Sequence, residues 1–301
     1  MSKSQVELQE FAEGFRTYYS SLNPTAGTPD EVYKIESVQI SVPTAAQNIK
    51  GRIYIPTEKP NADKFPLVLF SHGGCLISGD LETHDVLARA LALRLNAVVL
   101  AYDYTLAPEE NALGQMEEAK AAFNWLYDHA DQYNGDVNQF VGIGDSAGGQ
   151  ITANLSHIYT ADAERKFAAV WLIYPVLSIN LQTESFKKLG EKYFPTSEVM
   201  HMGSLCFMPK DVSDKDPRIL SLYANHANLA PTFISIGELD PLSSDSFTYA
   251  EDLKVANITH ELKFYPNSEH GFIQYFKNKQ AHALGEQALD DGIAQLKSWL
   301  S

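Results

Sequence analysis

The segment Phe140-Val141-Gly142-Ile143-Gly144-Asp145-Ser146-Ala147-Gly148-Gly149 runs from apolar, strand-like residues into a glycine-flanked serine and then into a helix-like stretch. Glycine two positions before and two positions after a serine, between a strand and a helix, is the pattern of a nucleophile elbow. A serine on so sharp a turn takes strained backbone angles and lifts its hydroxyl above the sheet edge. Gly144 and Gly148 carry no Cβ, so neighbouring backbone can approach. The helix that begins at Ala147 favours negative charge developing at its N-terminus. Gly142, Gly144 and Ala147 can also be forced into the spacing of a dinucleotide loop. That reading needs the permissive last position and finds no acidic ribose partner at a defined place.

On either side of this segment, strand-like and helix-like stretches alternate. Apolar, β-rich runs lie at Val32–Val42, Gly51–Ile55, Pro66–Ser71, Ala97–Tyr104, Gln139–Gly144, Ala168–Tyr174, Thr232–Gly237 and His260–Tyr265. Several, such as Leu67-Val68-Leu69-Phe70, are apolar without interruption, which suits strands covered on both faces of a parallel sheet. Helical spacing marks Asp85–Leu95, Gly114–Ala130, Ala147–Tyr159, Ser243–Val255 and Ala281–Leu300. The alternation predicts an α/β fold with a mostly parallel sheet and right-handed crossovers, and the first two strands, with no helix between them, an antiparallel edge. Two regions break the alternation: residues 1–30, with an amphipathic Val6–Tyr19, and residues 176–229, too long for a simple crossover. Together they are expected to form a helical cap on one domain spanning 1–301, over the strand ends where ligands bind in open α/β sheets.

Two further clusters carry chemistry. Ser71-His72-Gly73-Gly74-Cys75 follows the strand ending at Phe70, and consecutive glycines there can aim backbone N–H groups at one point, as an oxyanion hole requires. The N–H of Ala147, next to the serine, would be a further donor. Asp240 and His270 follow the last two strands, in the chain order serine, acid, histidine. Histidine suits the role of base because its pKa lets it take and return a proton near neutral pH. A carboxylate would hold its tautomer. Glu238, Asp245 and Glu269 are rival acids, and Asp240 is preferred for its place at a strand end.

Composition narrows the partners. The net charge of -15 repels phosphate backbones and anionic lipid headgroups, so nucleic acid and charged membranes are not expected partners. Two cysteines, Cys75 and Cys206, stand far apart outside any CxxC pattern, which argues against a disulfide framework and a zinc site and fits a reducing cytoplasm. The first residues lack the apolar core of a secretion signal, and no stretch reaches the roughly 18 apolar residues a membrane span needs. A soluble cytoplasmic protein is the expectation, with room for a homodimer.

The set His72-Gly73-Gly74, Tyr102-Asp103-Tyr104-Thr105-Leu106-Ala107-Pro108-Glu109, Gly144-Asp145-Ser146-Ala147-Gly148-Gly149, Asp240-Pro241-Leu242 and His270-Gly271-Phe272 resembles the hormone-sensitive-lipase-like branch of α/β-hydrolases, which includes bacterial acetyl esterases and carboxylesterases. The resemblance spans most of the chain. It implies an α/β-hydrolase fold with an eight-stranded sheet and a cap, and hydrolysis of short- to medium-chain acyl esters without a cofactor. It also implies a Ser146, Asp240 and His270 triad, with the N–H groups of Gly74, Cys75 and Ala147 as oxyanion donors. The motifs leave the leaving atom open, so lactones, thioesters or amides are alternative substrates. A non-catalytic ligand-binding member of the fold is a further alternative, although all three triad positions are filled. The family pattern has a third glycine where this chain has Cys75. A negative φ is expected there, with an amide that still donates and a thiol that narrows the pocket. Leu76 stands where Trp or Phe is common, and a wider acyl side is expected from it.

Overall fold

The computed structural model describes residues 3–45, 47–160, 162 and 164–301. Its strands are β1 (Lys34–Ile40), β2 (Ile49–Ile55), β3 (Phe65–Ser71), β4 (Val98–Asp103), β5 (Gly135–Asp145), β6 (Ala169–Ile173), β7 (Thr232–Gly237) and β8 (His260–Tyr265). The helices are α1 (Gln5–Ser21), α2 (Asp85–Leu95), α3 (Ala112–Asp128), α4 (Ala147–Tyr159), α5 (Glu184–Leu189), α6 (Ser197–Phe207), α7 (Ser243–Val255) and α8 (Gly285–Leu300). The strands form one eight-stranded sheet in the order β1-β2-β4-β3-β5-β6-β7-β8. β1 and β2 pair antiparallel, as does β2 with β4, and the remaining pairs are parallel. The expected α/β architecture with its antiparallel edge is borne out.

The uninterrupted apolar strands occupy the middle because both of their faces are covered. Alternate side chains of β3 point to opposite sides: Leu67 and Leu69 join the core beneath α3, α4 and α7, whereas Val68 and Phe70 join the core beneath α2 and α8. The edge strand β1 carries exposed Lys34, Ser37 and Gln39 and the edge strand β8 an exposed Glu261, charged and polar groups that blunt them against further pairing.

The element ends that differ from expectation have local causes. β5 starts at Gly135 rather than Gln139, because Gly135 and Asp136 pair with Phe65 and Pro66 before the register shifts. α3 starts at Ala112 because the Asn111 side chain caps the N–H groups of Leu113 and Gly114. α8 begins at Gly285, after residues held in turns such as His282 N–H to the Asn278 carbonyl, 2.8 Å.

The two segments outside the alternation meet each other. α1 is started by a capping box between Ser4 and Glu7 and packs against α6. Phe15 of α1 stacks on Phe194 with ring centres 6.2 Å apart. Arg16 anchors α1 to the body of the fold through the Ile77 carbonyl (2.8 Å), the Ala107 carbonyl (2.9 Å) and the Glu109 carboxylate (2.5 Å). No helix among the described residues is long and apolar enough to cross a membrane.

α8 packs closely on β6, where a Cβ added at Gly292 would collide with the fully buried Trp171 indole. Overpacking of this kind costs about 1–3 kcal/mol, and the better helix propensity of alanine offsets at most about 1 kcal/mol. Gly292→Ala is therefore expected to lower the urea midpoint of unfolding. A midpoint at or above wild type would show that the indole simply moves aside.

Candidate active site

β5 ends at Asp145 and α4 begins at Ala147, so Ser146 alone makes the turn, at φ +55° and ψ −116°. Such a conformation costs a residue with a Cβ on the order of 1–3 kcal/mol and persists only where its surroundings hold it. Here the Ser146 N–H donates to the Ile173 carbonyl (2.8 Å) and the Ser146 carbonyl accepts from the Val176 N–H (3.0 Å). Gly148 lies so close to the Ser71 carbonyl that a Cβ would collide with it. The serine is thus fixed between the ends of β3, β5 and β6, with its residue 6% exposed.

Asp240 and His270, far apart in sequence, meet beside it. Asp240 is fully buried (0% exposed); its Oδ1 accepts from the Leu242 N–H at 2.9 Å and its Oδ2 from His270 Nδ1 at 2.6 Å. A carboxylate accepts only, so the imidazole carries its hydrogen on Nδ1 and presents a bare Nε2. That nitrogen lies 2.8 Å from Ser146 Oγ. The rings of Tyr174 and Phe194 flank the imidazole, with centres 4.5 and 5.6 Å away. The rival acids are engaged or remote: Glu238 accepts from the Asn267 N–H, Asp245 bonds Ser178 Oγ, and Glu269 is exposed.

The glycine-rich loop after β3 comes up against the same serine. The Gly73 N–H donates to Asp145 Oδ1 at 2.9 Å, tying this loop to the residue before Ser146. Gly74 has φ +122°, Cys75 +58° and Leu76 +62°. The negative φ expected at Cys75 is therefore wrong. The chain bends through three successive left-handed residues, and the bend is held by the Ile77 N–H, Ser78 N–H and Ser78 Oγ, all donating to the Gly74 carbonyl. The N–H groups of Gly74, Cys75 and Ala147 donate to no acceptor among the described residues. The expectation for Leu76 also needs correction. Its side chain is buried in the core and lines neither the cavity at Ser146 nor the recess behind Cys75 and Ala147, so its size does not set the width of the pocket.

Several residues support the site, and of these His84, Gln115 and Gln274 belong to none of the sequence motifs. The Tyr104 ring stacks on His72 at 4.3 Å and its hydroxyl donates to the His72 carbonyl (2.9 Å), which gives the tyrosine-rich stretch after β4 a structural task. Burial, reinforced by His84 nearby, depresses the pKa of His72 to about 4. His84 Nε2 lies 3.3 Å from Asp145 Oδ2, on the carboxylate that already holds Gly73. Gln115 donates to the carbonyls of Leu76 (3.0 Å) and Thr105 (2.8 Å). Gln274 accepts from the Tyr19 hydroxyl of α1 at 3.0 Å. None of these pairings follows from local spacing, because each joins elements far apart in the chain.

A cavity of about 130 Å³ opens at Ser146 and His270, walled largely by aromatic rings, and a recess of about 10 Å³ lies behind Cys75 and Ala147. A larger cavity, about 970 Å³, is an open groove beside α3 and α4 that touches none of Ser146, Asp240 and His270. Among the described residues no cluster of three or more His, Cys, Asp and Glu could hold a metal.

Residues 68–274 match the family model described as the alpha/beta hydrolase fold. The chain belongs to this family. The α/β-hydrolase is 31% identical over 280 residues to the carboxylic ester hydrolase LipN of Mycobacterium tuberculosis, covering 91% of this chain and 73% of that protein. It is 28% identical to an ethyl acetate hydrolase of Pseudomonas putida, covering 88% and 84% of the two chains. The crystal structure of EstE1, a thermostable carboxylesterase cloned from a metagenomic library, superposes with a TM-score of 0.89 at 28% identity, covering 98% of each chain. The resemblance drawn from the motifs is thereby borne out.

Cys75 of this α/β-hydrolase is not a reactive thiol: burial pushes its pKa up to about 12, and that of Cys206 to about 11. Thiolate is the nucleophilic form, so at pH 8 neither cysteine of the folded protein is expected to react with a disulfide reagent, and both react once urea unfolds it. Rapid reaction of the native protein would contradict the burial. Cys75→Gly, which suits the positive φ, is expected to keep stability within about 1 kcal/mol and to retain activity with an altered acyl preference. An inactive but folded variant would count against that.

Proposed function

We propose that the protein is a serine carboxylesterase that hydrolyses short- to medium-chain acyl esters through an acyl-enzyme. Ser146 is the nucleophile, His270 the base and Asp240 the acid that orients it; α1, α5 and α6 form a cap over them. The observation that carries the proposal is the unbroken chain from Ser146 Oγ to His270 Nε2 (2.8 Å) and from His270 Nδ1 to Asp240 (2.6 Å), beside three uncommitted amides. The printed names of the relatives, a carboxylic ester hydrolase and an ethyl acetate hydrolase, support the same reading.

In the first step Ser146 Oγ bonds to the ester carbonyl carbon while His270 Nε2 takes the hydroxyl proton. The carbonyl π pair becomes an oxyanion that accepts from the N–H groups of Gly74, Cys75 and Ala147. Loss of one such donor typically costs about 10²–10³ in rate. Asp240 stabilises the imidazolium and holds its tautomer. The tetrahedral centre then collapses, the ester C–O bond breaks, and His270 hands its proton to the departing alcohol. Water repeats the sequence on the acyl-enzyme and releases the acid. The atoms balance with ester and water alone, so no cofactor enters the cycle.

Ser146→Ala is expected to abolish labelling by a fluorophosphonate and to lower kcat on the order of 10⁶-fold. His270→Ala should fall comparably, and the double variant no further than either single one, because the groups act as a unit. Labelling that survives Ser146→Ala would remove the assignment. Across p-nitrophenyl esters from acetate to palmitate, activity should peak at the short end, and a maximum at the long end would overturn the acyl class.

A further inference from the structure

The esterase reading divides the space around Ser146 by chemistry alone. The departing alcohol must lie where His270 Nε2 can protonate it, so the alcohol half of the ester occupies the cavity bordered by His270. The oxyanion faces the amides of Gly74, Cys75 and Ala147. The remaining substituent on the tetrahedral carbon, the acyl chain, is left with the recess behind Cys75 and Ala147.

These two spaces differ in size and character. The recess measures about 10 Å³, no more than the roughly 10–15 Å³ that one water-sized group requires. It is closed by Val176, Val199, Met200 and Phe207, the last three from α6, and Met200 and Phe207 are each 3% exposed. Gln150 also faces it, held by its Nε2 to the Ile219 carbonyl, with an Oε1 that has no partner among the described residues.

On the alcohol side the cavity is about 130 Å³, close to the roughly 150 Å³ of an apolar cavity that accepts a benzene ring. Tyr18, Tyr19, Tyr174, Phe194, Tyr275 and His282 present ring faces and edges to it. Tyr275 and His282 stack with centres 5.9 Å apart, a ready platform for a further ring.

We infer that the preferred substrates are acetate esters of single-ring alcohols, with Met200 and Val199 of α6 setting the acyl limit and Tyr275 selecting the ring. The inference rests on the esterase reading and narrows it from short- to medium-chain acyl groups to acetyl.

The test crosses the two halves of the ester: benzyl acetate, benzyl butyrate, ethyl acetate and ethyl butyrate, whose alcohols leave with similar intrinsic ease. With active sites counted by fluorophosphonate, kcat/KM should favour benzyl acetate over benzyl butyrate by about 10-fold or more. It should also favour benzyl over ethyl acetate by a similar factor. Met200→Ala is expected to shift the acetate-to-butyrate ratio toward butyrate by about 10-fold. The partly buried Val199→Ala gives a smaller shift in the same sense and serves if Met200→Ala fails to fold. Tyr275→Ala should lower benzyl acetate turnover more than ethyl acetate turnover. Butyrate at least equal to acetate in the wild type, or ratios unmoved by either α6 variant, would overturn the acyl half; ethyl acetate at least equal to benzyl acetate would overturn the alcohol half. A chain that takes no fluorophosphonate label fails the esterase reading itself, whereas a labelled chain with the wrong ratios fails only this inference.

Discussion

The backbone of Ser146, held at φ +55° between a strand and a helix, is the constraint on which the site is built. A residue with a Cβ occupies that conformation only under restraint. The restraint comes from the sheet: β6 supplies the Ile173 carbonyl and the loop beyond it the Val176 N–H. Because β3, β5, β6, β7 and β8 run parallel, their outgoing loops emerge at one edge. The same parallel order that buries the apolar strands therefore delivers Gly74, Ser146, Asp240 and His270 to one place.

The loop after β3 shows how costly geometry is maintained. Three successive residues at positive φ, two of them not glycine, would unbend if left alone. They are held by a buried polar scaffold: Asp145 on the Gly73 N–H, Ser78 on the Gly74 carbonyl, Gln115 on the Leu76 carbonyl, and Tyr104 stacked on His72. Almost every partner is buried, where an unpaired polar group is expensive and a satisfied network is rigid. Asp145 links this scaffold to the serine turn, and His84 on its second oxygen extends the link toward α2. The uncommitted amides of Gly74, Cys75 and Ala147 are in this sense the product of hydrogen bonds made elsewhere.

α1 and α6 finish the pocket without touching the reacting atoms. Arg16 and Glu109 join α1 to the loop after β4, and the Tyr19 hydroxyl reaches Gln274, whose own N–H donates to the Tyr174 hydroxyl at 3.1 Å beneath the His270 ring. α6 sets Met200 and Phe207 behind Cys75. The pocket is therefore walled in part by segments that lie outside the strand–helix alternation, with Tyr18 and Tyr19 of α1 on one side and Met200 and Phe207 of α6 on the other.

The linear chain was enough to read the α/β class, the mostly parallel sheet with its antiparallel edge, and the serine turn, because apolar periodicity and glycine spacing act over a few residues. Ser146, Asp240 and His270 could be named for the same reason, each standing at the end of a legible strand. Asp240 could be preferred over Glu238, Asp245 and Glu269 only by position, and its 2.6 Å contact with His270 needed the folded chain. The sign of φ at Cys75, the inward turn of Leu76, and the parts played by His84, Gln115 and Gln274 depended on tertiary structure. These are contacts between residues distant in sequence, and the conformation of a loop is set by the groups packed on it rather than by its own composition.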